Sequence, residues 1–420
     1  MSKHVPLSDA TPPSHLFQNV TFLIVWMGET ISTLGGSFST LASSWLAYQI
    51  TGSVTTMGNM LLIYFLPSLF MQLVIGPYID RWNRRKVMVY SQWARGLVSL
   101  APLLLLLNEQ QVIWPLYLVS LVNGLIQPLY VPSSMAFLPT LVSKEQITSA
   151  NACLDGTSRL MMVIGPPVGG FVVSAIGGEF TLVLVSITYG FSGMLLFTCK
   201  TTHGVAIVST KKDSWSTQFI EGFDFFRQRP TLLWLGIFLS FVQFALGVTS
   251  VLNLPFLVNE LHGTSFQYGL FIAGYPLGYF FGSLIAGRQK ELKNRRLVMI
   301  GSLLFGGSTF VALAFTHDIW LAVMIELLAG VAGPFFHVHS NSLFQKIVPN
   351  NLLGRVLSVR LLIIRTAMPL GILLGSRFSE IWGVRPLFAL IGVIVCFVSL
   401  LGLTLPYFRF LDIKKSAEAG

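Results

Sequence analysis

Residues 76–89 read GPYIDRWNRRKVMV. Asp80 is followed within six residues by Arg81, Arg84, Arg85 and Lys86, in a 420-residue chain that is only 10% charged. The flanks on both sides are long and apolar, so the bases occupy a short gap between two greasy runs. The rest of the chain has the same character, with 53% hydrophobic residues and a mean hydropathy of +0.70. A soluble protein carries roughly 25% charged residues. Too little polar surface exists here to cover such a body in water, so lipid is the expected solvent for most of the outside.

A helical span needs roughly 20 mostly apolar residues, and runs of that length recur along the chain. They are continuous, whereas strands of a lipid-facing barrel would alternate. The segmentation predicts about twelve spans, near 18–48, 54–79, 87–107, 112–137, 150–176, 180–200, 231–258, 265–288, 297–316, 319–344, 353–377 and 384–408. The gaps are short except for 201–230. The N-terminal MSKHVPLSDATPPSHLF has no apolar core, so no cleaved signal peptide is expected and the first span directs insertion. Cys153, Cys199 and Cys396 form no CxxC or Cys/His cluster, which supports neither a disulfide framework nor a metal site.

Lys and Arg concentrate in every second gap, at Arg81–Lys86, Lys144, Lys200 to Arg229, Arg288–Arg296, Lys346–Arg360 and Lys414–Lys415. The intervening turns lack them, except the one with Arg377 and Arg385. Positive loops stay cytoplasmic, so both termini and the long central loop are predicted to face the cytoplasm. The net charge of +10 is thereby explained as topology, and no nucleic-acid partner is expected.

The chain also repeats itself. NRRKVMV at 83–89 returns as NRRLVMI at 294–300, with Gly76 matching Gly287 and Asp80 matching Glu291. A second echo pairs Arg159 with Arg365, Gly165 with Gly371 and Gly169 with Gly375. Span 2 then corresponds to span 8, and span 5 to span 11. The expected fold is an all-α membrane protein of two pseudo-symmetric six-helix halves, 1–200 and 231–420, joined by a cytoplasmic linker at 201–230. Parallel repeats of this kind characterise transporters that rock around a central site. In the linker, Trp215, Phe219, Phe223 and Phe226 lie close to one helical face, which predicts an amphipathic surface helix.

With that topology, the opening stretch falls between spans 2 and 3. There, G-x-x-x-D-R-x-x-R-R-K resembles the signature of the major facilitator superfamily, matched by Gly76, Asp80, Arg81, Arg84 and Arg85. Asn83 stands where the pattern has Gly, and Asn tolerates a left-handed backbone. GPPVGG at 165–170 looks like the tail of the family's antiporter motif, carried by Gly165, Pro166, Gly169 and Gly170, with Met161 replacing its leading glycine. Glycines there let helices approach, and Pro166 and Pro167 bend the helix. The resemblance is to the drug/proton antiporter branch, which includes macrolide and multidrug efflux proteins and siderophore exporters. That branch's Arg in span 4 is absent, because the corresponding residue is Ser120. The resemblance implies a cavity lined by spans 1, 4, 7 and 10, and a cytoplasmic latch in which Asp80 faces the inner end of span 11.

Several residues are candidates for the mechanism. Glu29 lies eleven residues into span 1, roughly 16 Å deep at 1.5 Å per residue. A charged, unpaired carboxylate there costs several kcal/mol, so a proton site is expected. Thr33, Gly36 and Thr40 continue its face. Glu326 in span 10 heads a second face with Gly330, Gly333 and His337. Either acid could instead be held neutral by a hydrogen bond between helices. Thr33, Asn123, Gln127, Gln243, Asn253 and His337 are candidate cavity residues. The four amides could instead simply link helices, and a histidine near a cytoplasmic helix end is more often a satisfied polar residue than a proton shuttle. Asp155 and Arg159, spaced i, i+4, neutralise each other or join Arg360 and Arg365 in a latch between the halves. SKEQ at 143–146 fits a capping box opening span 5.

These features predict proton-coupled efflux of lipophilic or amphipathic small molecules by alternating access. A monomer in the bacterial inner membrane would use the proton gradient without any cofactor or metal, with membrane lipids as its surroundings. An exporter or flippase for a siderophore or lipid-like metabolite is the alternative. A receptor is disfavoured because little lies outside the membrane. An enzyme is disfavoured because neither HExxH nor GxSxG occurs, and no aspartates pair across facing spans.

Overall fold

A computed structural model of the chain describes residues 16–75, 82–103, 112–199, 221, 223–225, 227–288, 294–349 and 352–405. Among them are twelve α-helices of 15 or more residues and no strand. The first six are α1 (Val20–Thr51), α2 (Val54–Val74), α3 (Arg84–Val98), α4 (Trp114–Phe137), α5 (Ile147–Ile176) and α6 (Gly178–Thr198). The others are α7 (Pro230–Pro255), α8 (Ser265–Arg288), α9 (Arg295–Phe315), α10 (Ile319–Ile347), α11 (Leu353–Trp382) and α12 (Val384–Thr404). One helix therefore stands at every expected span. The side chains behind the amphipathic reading of the linker, Trp215, Phe219 and Phe226, lie outside the described residues, while Phe223 is exposed.

Helix ends follow local chemistry. The side chains of Asn19, Ser53, Asn83 and Asp318 accept backbone N–H bonds at the starts of α1, α2, α3 and α10. Asn83 does this with φ −71° and ψ 104°, so the residue that replaces the motif's glycine is an extended cap and not a left-handed turn. SKEQ is not a capping box: Ser143 makes no side-chain cap bond, and a 3-10 turn at Lys144–Gln146 leads into α5. The sharp turns α5–α6 and α11–α12 each hinge on one glycine, Gly177 at φ 83° and Gly383 at φ 84°. Side chains rarely adopt that conformation.

Nine of the described segments are long and apolar enough to cross a membrane. α1, α3 and α4 are not among them. The described part of α3 is 15 residues, too short, and it carries Gln92 and Arg95, while α1 is rich in Ser, Thr and Gly and α4 carries Asn123 and Gln127. These polar faces point inward, while the lipid-facing surface is apolar, with Phe70, Phe171, Phe191, Phe281 and Phe397 among its exposed side chains.

Helices α1–α6 pack chiefly among themselves, through α1–α6, α1–α5, α2–α4, α3–α4 and α3–α6, and α7–α12 do likewise through α8–α10, α7–α11, α9–α12 and α9–α10. The two groups meet through α5 against α8 and α2 against α11. The second sequence echo acquires a physical meaning here. A side chain at Gly165 or Gly169 would press on Ser37 or Phe38 of α1, and one at Gly371 or Gly375 on the backbone of Phe244 or Val248 of α7. Equivalent glycines thus set equivalent helix crossings.

Arg385, which breaks the alternation of charges, is half-buried. Its Nε donates to Glu260 Oε2 at 2.7 Å, and its Nη1 donates to the carbonyls of Ala314 and Thr316 at the end of α9. It satisfies orphan carbonyls and neutralises an acid, so it carries no net topological charge.

α8 meets α10 along Gly274, Gly278 and Gly282, one every fourth residue. A Cβ at Gly278 would overlap the Leu327 carbonyl, and one at Gly282 the Val331 carbonyl. Overpacking costs about 1–3 kcal/mol, so Gly278→Leu is expected to lower the melting temperature of the detergent-solubilised protein by about 4 °C or more. Gly301→Ala, which meets nothing within 4 Å, is expected to leave it unchanged.

Candidate functional site

Two cavities, about 570 Å³ and 460 Å³, lie at the centre of the molecule and share Thr40, Ser44, Met57 and Leu61. The first is walled by α1–α6 and the second mainly by α7–α12. They differ in chemistry. The first presents hydroxyls of α1 with Glu29, Arg95, Asn123 and Gln127, whereas the second presents Phe271, Ile272, Leu303, Phe310 and Met368 around Glu326.

α1 can be polar without being destabilised because its hydroxyls bond back to its own carbonyls. Thr33 Oγ1 donates to Glu29 O at 2.8 Å, Ser37 Oγ to Thr33 O at 3.2 Å and Thr40 Oγ1 to Gly36 O at 3.0 Å. Glu29 Oε2 accepts from Ser134 Oγ of α4 at 2.7 Å. Deeper in the same wall, Gln92 Nε2 donates to Ser32 Oγ at 2.7 Å.

Arg95 of α3 stands beside this group and was not among the residues expected from the sequence. It is 6% exposed, donates from Nη2 to Gln127 Oε1 at 2.7 Å, and lies 5.5 Å and 5.8 Å from the ring centres of Tyr130 and Tyr189. The signal was present: Arg95 lies eight residues into the span expected at 87–107, and intramembrane ions of either sign mark function. It falls in none of the basic gaps, so a count of charges by gap passes over it.

Glu326 is 9% exposed and lines the apolar cavity beside Tyr275 and Thr309. Among the described residues its carboxyl group has no hydrogen-bond or ion-pair partner. Thr33, Asn123 and Gln127 line the first cavity and Asn253 the second. The Asn253 Oδ1 atom is buried without a partner. Gln243 and His337 line neither cavity, which corrects the expectation for both. Gln243 is half-buried within α7. The His337 ring stacks edge-on with Tyr279 at 6.4 Å, because α8 crosses α10 at the intervening glycines.

Of the gate motif, Gly76, Asp80 and Arg81 lie outside the described residues. Arg84 Nη1 donates to Ala136 O at 2.8 Å, and Arg85 binds the Leu196 and Phe197 carbonyls. Both close the ends of α4 and α6 within their own helix group, where a cation suits the unpaired carbonyls. Asp155 and Arg159 pair with each other at 2.8 Å, both exposed. Arg360 is no bridge between the groups. It is buried within its own helix group, with Nη2 donating to Ser340 Oγ at 3.2 Å, the guanidinium 4.6 Å from the Phe344 ring centre and Nε left without an acceptor. Arg365 does bridge them, with Nη1 donating to Gln72 Oε1 of α2 at 2.5 Å.

GPPVGG serves two contacts. Gly165 and Gly169 seat on α1, while Gly170 abuts the Ser265 backbone and Pro166 abuts Gly269 of α8. Ser265 Oγ donates to Gly170 O at 3.0 Å. At the same end, Glu380 Oε1 of α11 accepts from Ser53 Oγ at 2.8 Å and from the Thr55 N–H at 3.1 Å, at the start of α2. Asn259 Nδ2 donates to the Tyr48 hydroxyl, and Gly58 packs against Ser376. The two helix groups are thus closed together at the end where α1 turns into α2.

A family described as transmembrane secretion effector, within the major facilitator superfamily, matches residues 11–418. The chain belongs to that family. It is 23% identical to macrolide efflux protein A of Streptococcus pyogenes, over 94% of this chain and 98% of the relative. It is 22% identical to the multidrug efflux pump Tap of Mycolicibacterium fortuitum, over 93% and 97%. A bacterial homologue of the iron transporter ferroportin, solved in an inward-facing state, superposes with a TM-score of 0.71 at 16% identity, covering 93% of this chain and all of that one. As a member of the superfamily, the chain is a multi-pass membrane protein with the all-α transporter fold and not an enzyme fold.

Ser44 sits where the two cavities join. Ser44→Trp is expected to fill that junction and to weaken binding of a lipophilic dye to the purified protein by about tenfold or more, a loss of at least 1.4 kcal/mol. Leu66→Trp, at a position 52% exposed and away from the cavity lining, is expected to bind the dye as the parent does.

Proposed function

We propose that the chain is a proton-coupled exporter of lipophilic or amphipathic small molecules, working by alternating access in the bacterial inner membrane with both termini in the cytoplasm. The observation that carries this reading is a central cavity with one membrane-embedded acid in each helix group, Glu29 and Glu326. The macrolide and multidrug efflux relatives favour the same cargo class. Each chain holds a complete cavity, so the monomer is the working unit, and the proton gradient is its driving force.

With the amino terminus inside, the closed end is the outer face. The opposite faces of α5 and α11 leave Asp155, Arg159 and Arg365 exposed. Charged side chains avoid hydrocarbon, which fits a water-filled opening toward the cytoplasm. In the cycle, cargo enters the cavity from that side after the acids have given up their protons. The outer contacts then part, cargo leaves, and outside protons load Glu29 or Glu326 for the return of the emptied cavity. Alternation is favoured because the closed end is not covalent: it is a set of hydrogen bonds and glycine contacts that a domain rotation can exchange.

In inverted vesicles with an imposed pH gradient, uptake of a fluorescent lipophilic dye is expected to fall by about tenfold or more in Glu29→Gln or Glu326→Gln, at the scale of a lost charge interaction. Unchanged gradient-driven uptake in both variants contradicts the assigned roles. Uptake of a siderophore or lipid analogue with no dye uptake replaces the drug-efflux reading by the other cargo class.

Glu380 holds the α2 N-terminus, where a helix dipole favours an anion. Removing that charge costs about 1 kcal/mol and shifts the balance of states about fivefold. In a variant without Cys153, Cys199 and Cys396, a cysteine introduced at Ser44 is expected to react about that much faster with an impermeant maleimide from outside intact cells when Glu380→Gln is also present. Equal rates with and without Glu380→Gln argue that this contact does not hold the outer face shut.

A further inference from the structure

The described residues lining the two cavities include a single cation, Arg95. It is almost wholly buried, yet its guanidinium is under-used. A guanidinium offers five N–H donors in a planar fork shaped for a carboxylate. Here Nη2 donates to Gln127 Oε1, and Nε is sealed within the wall with no acceptor. The charge is thus incompletely satisfied by the protein, and the residue meets the cavity through the rest of its guanidinium. Glu29 shares the wall but forms no ion pair with Arg95 and gives its Oε2 to the Ser134 hydroxyl. Tyr130 and Tyr189 turn ring faces toward the charge, which favours a cation without neutralising it. A buried cation left unpaired is costly, and an arrangement that tolerates one next to an open cavity is suited to a ligand that supplies the missing negative oxygen.

We propose that the α1–α6 end of the cavity is a subsite for an anionic oxygen group, a carboxylate above all, bound by Arg95 with the amides of Gln127 and Asn123 beside it. The apolar body of the same molecule extends past Leu61 and Met57 into the cavity of Phe271, Phe310 and Met368. The cargo is then an amphipathic acid, with its charged head among α1, α3 and α4 and its hydrocarbon or aromatic part among α7, α8 and α10. The polarity difference between the two joined cavities supports this orientation over the reverse. The inference rests on the efflux reading and narrows its substrate class. A lipophilic cation would meet Arg95 as a like charge, so the subsite selects against it.

The test uses the full-length protein in nanodiscs with two fluorescent probes, 11-(dansylamino)undecanoic acid and its methyl ester, after subtraction of the signal from empty nanodiscs. The parent protein is expected to bind the acid about tenfold or more tighter than the ester, the scale of a charge-assisted hydrogen bond. Arg95→Gln is expected to bring the ratio of the two affinities to about one, and Arg95→Lys to keep part of the preference. Gln127→Glu, which sets a carboxylate against Arg95 Nη2 and fills the subsite from within, is expected to abolish the preference as well. It carries the test if Arg95→Gln does not fold. Equal affinity for acid and ester in the parent overturns the proposal. So does a loss in Arg95→Gln that is the same for both probes, which makes Arg95 a structural residue only. Binding of neither probe overturns the subsite and the cavity reading together, whereas equal binding of both removes the subsite alone.

Discussion

Hydrocarbon offers no hydrogen bonds, so each polar group inside this protein has to find its partner within the protein. That constraint runs through every unusual feature of the structure. The hydroxyls of α1 bond to carbonyls one turn back, which lets a helix be hydrophilic on its cavity face. Arg84, Arg85 and Arg385 spend their donors on the bare carbonyls of helix ends. Groups that escape the rule stand out by contrast. Arg95 Nε, Asn253 Oδ1, Ser43 Oγ and the Tyr130 hydroxyl on the cavity wall are buried without a partner, as are Gln92 Oε1, Ser133 Oγ, His339 Nε2 and Arg360 Nε away from it.

Close helix contacts are the complementary device. Lipid gives helices little hydrophobic reason to associate, so they depend on van der Waals contact at small residues. α8 and α10 meet backbone to backbone along three glycines, and α5 and α11 meet α1 and α7 through repeated glycine pairs. The contacts between the two helix groups use the same device: Gly58, Gly170 and Gly269 let α2 approach α11 and α5 approach α8, with hydrogen bonds such as Ser265 to Gly170 and Ser53 to Glu380 beside them.

Much of the fold was legible. Twelve apolar runs became twelve helices because a span must satisfy its own backbone, which leaves helix as the only form for a continuous apolar run. The resemblance at residues 76–89 and 165–170 led to the family that the comparisons show. Glu29 and Glu326 stood out because an acid is rare in such a setting. The rest was hidden for identifiable reasons. Asn83 could be a left-handed turn or a cap, and only the chain's path decides between them. Arg360 and Arg365 lie five residues apart on one helix, yet one faces inward to Ser340 and the other across to Gln72. Phenylalanines toward lipid and toward the cavity read alike, since both surroundings are apolar.

The sequence by itself determined the membrane class, the helix count and the internal repeat, because these depend on composition, run length and local periodicity. Tertiary structure alone decided which polar residues share a wall, that Arg95 belongs with Glu29, Gln127 and Tyr130, and that His337 and Gln243 do not line the cavity. The physical reason is that a helix presents a residue every 100° or so, so every span has side chains facing lipid, neighbour and cavity at once. Which is which depends on how the helices are rotated against one another, and that is settled by contacts between residues far apart in the chain.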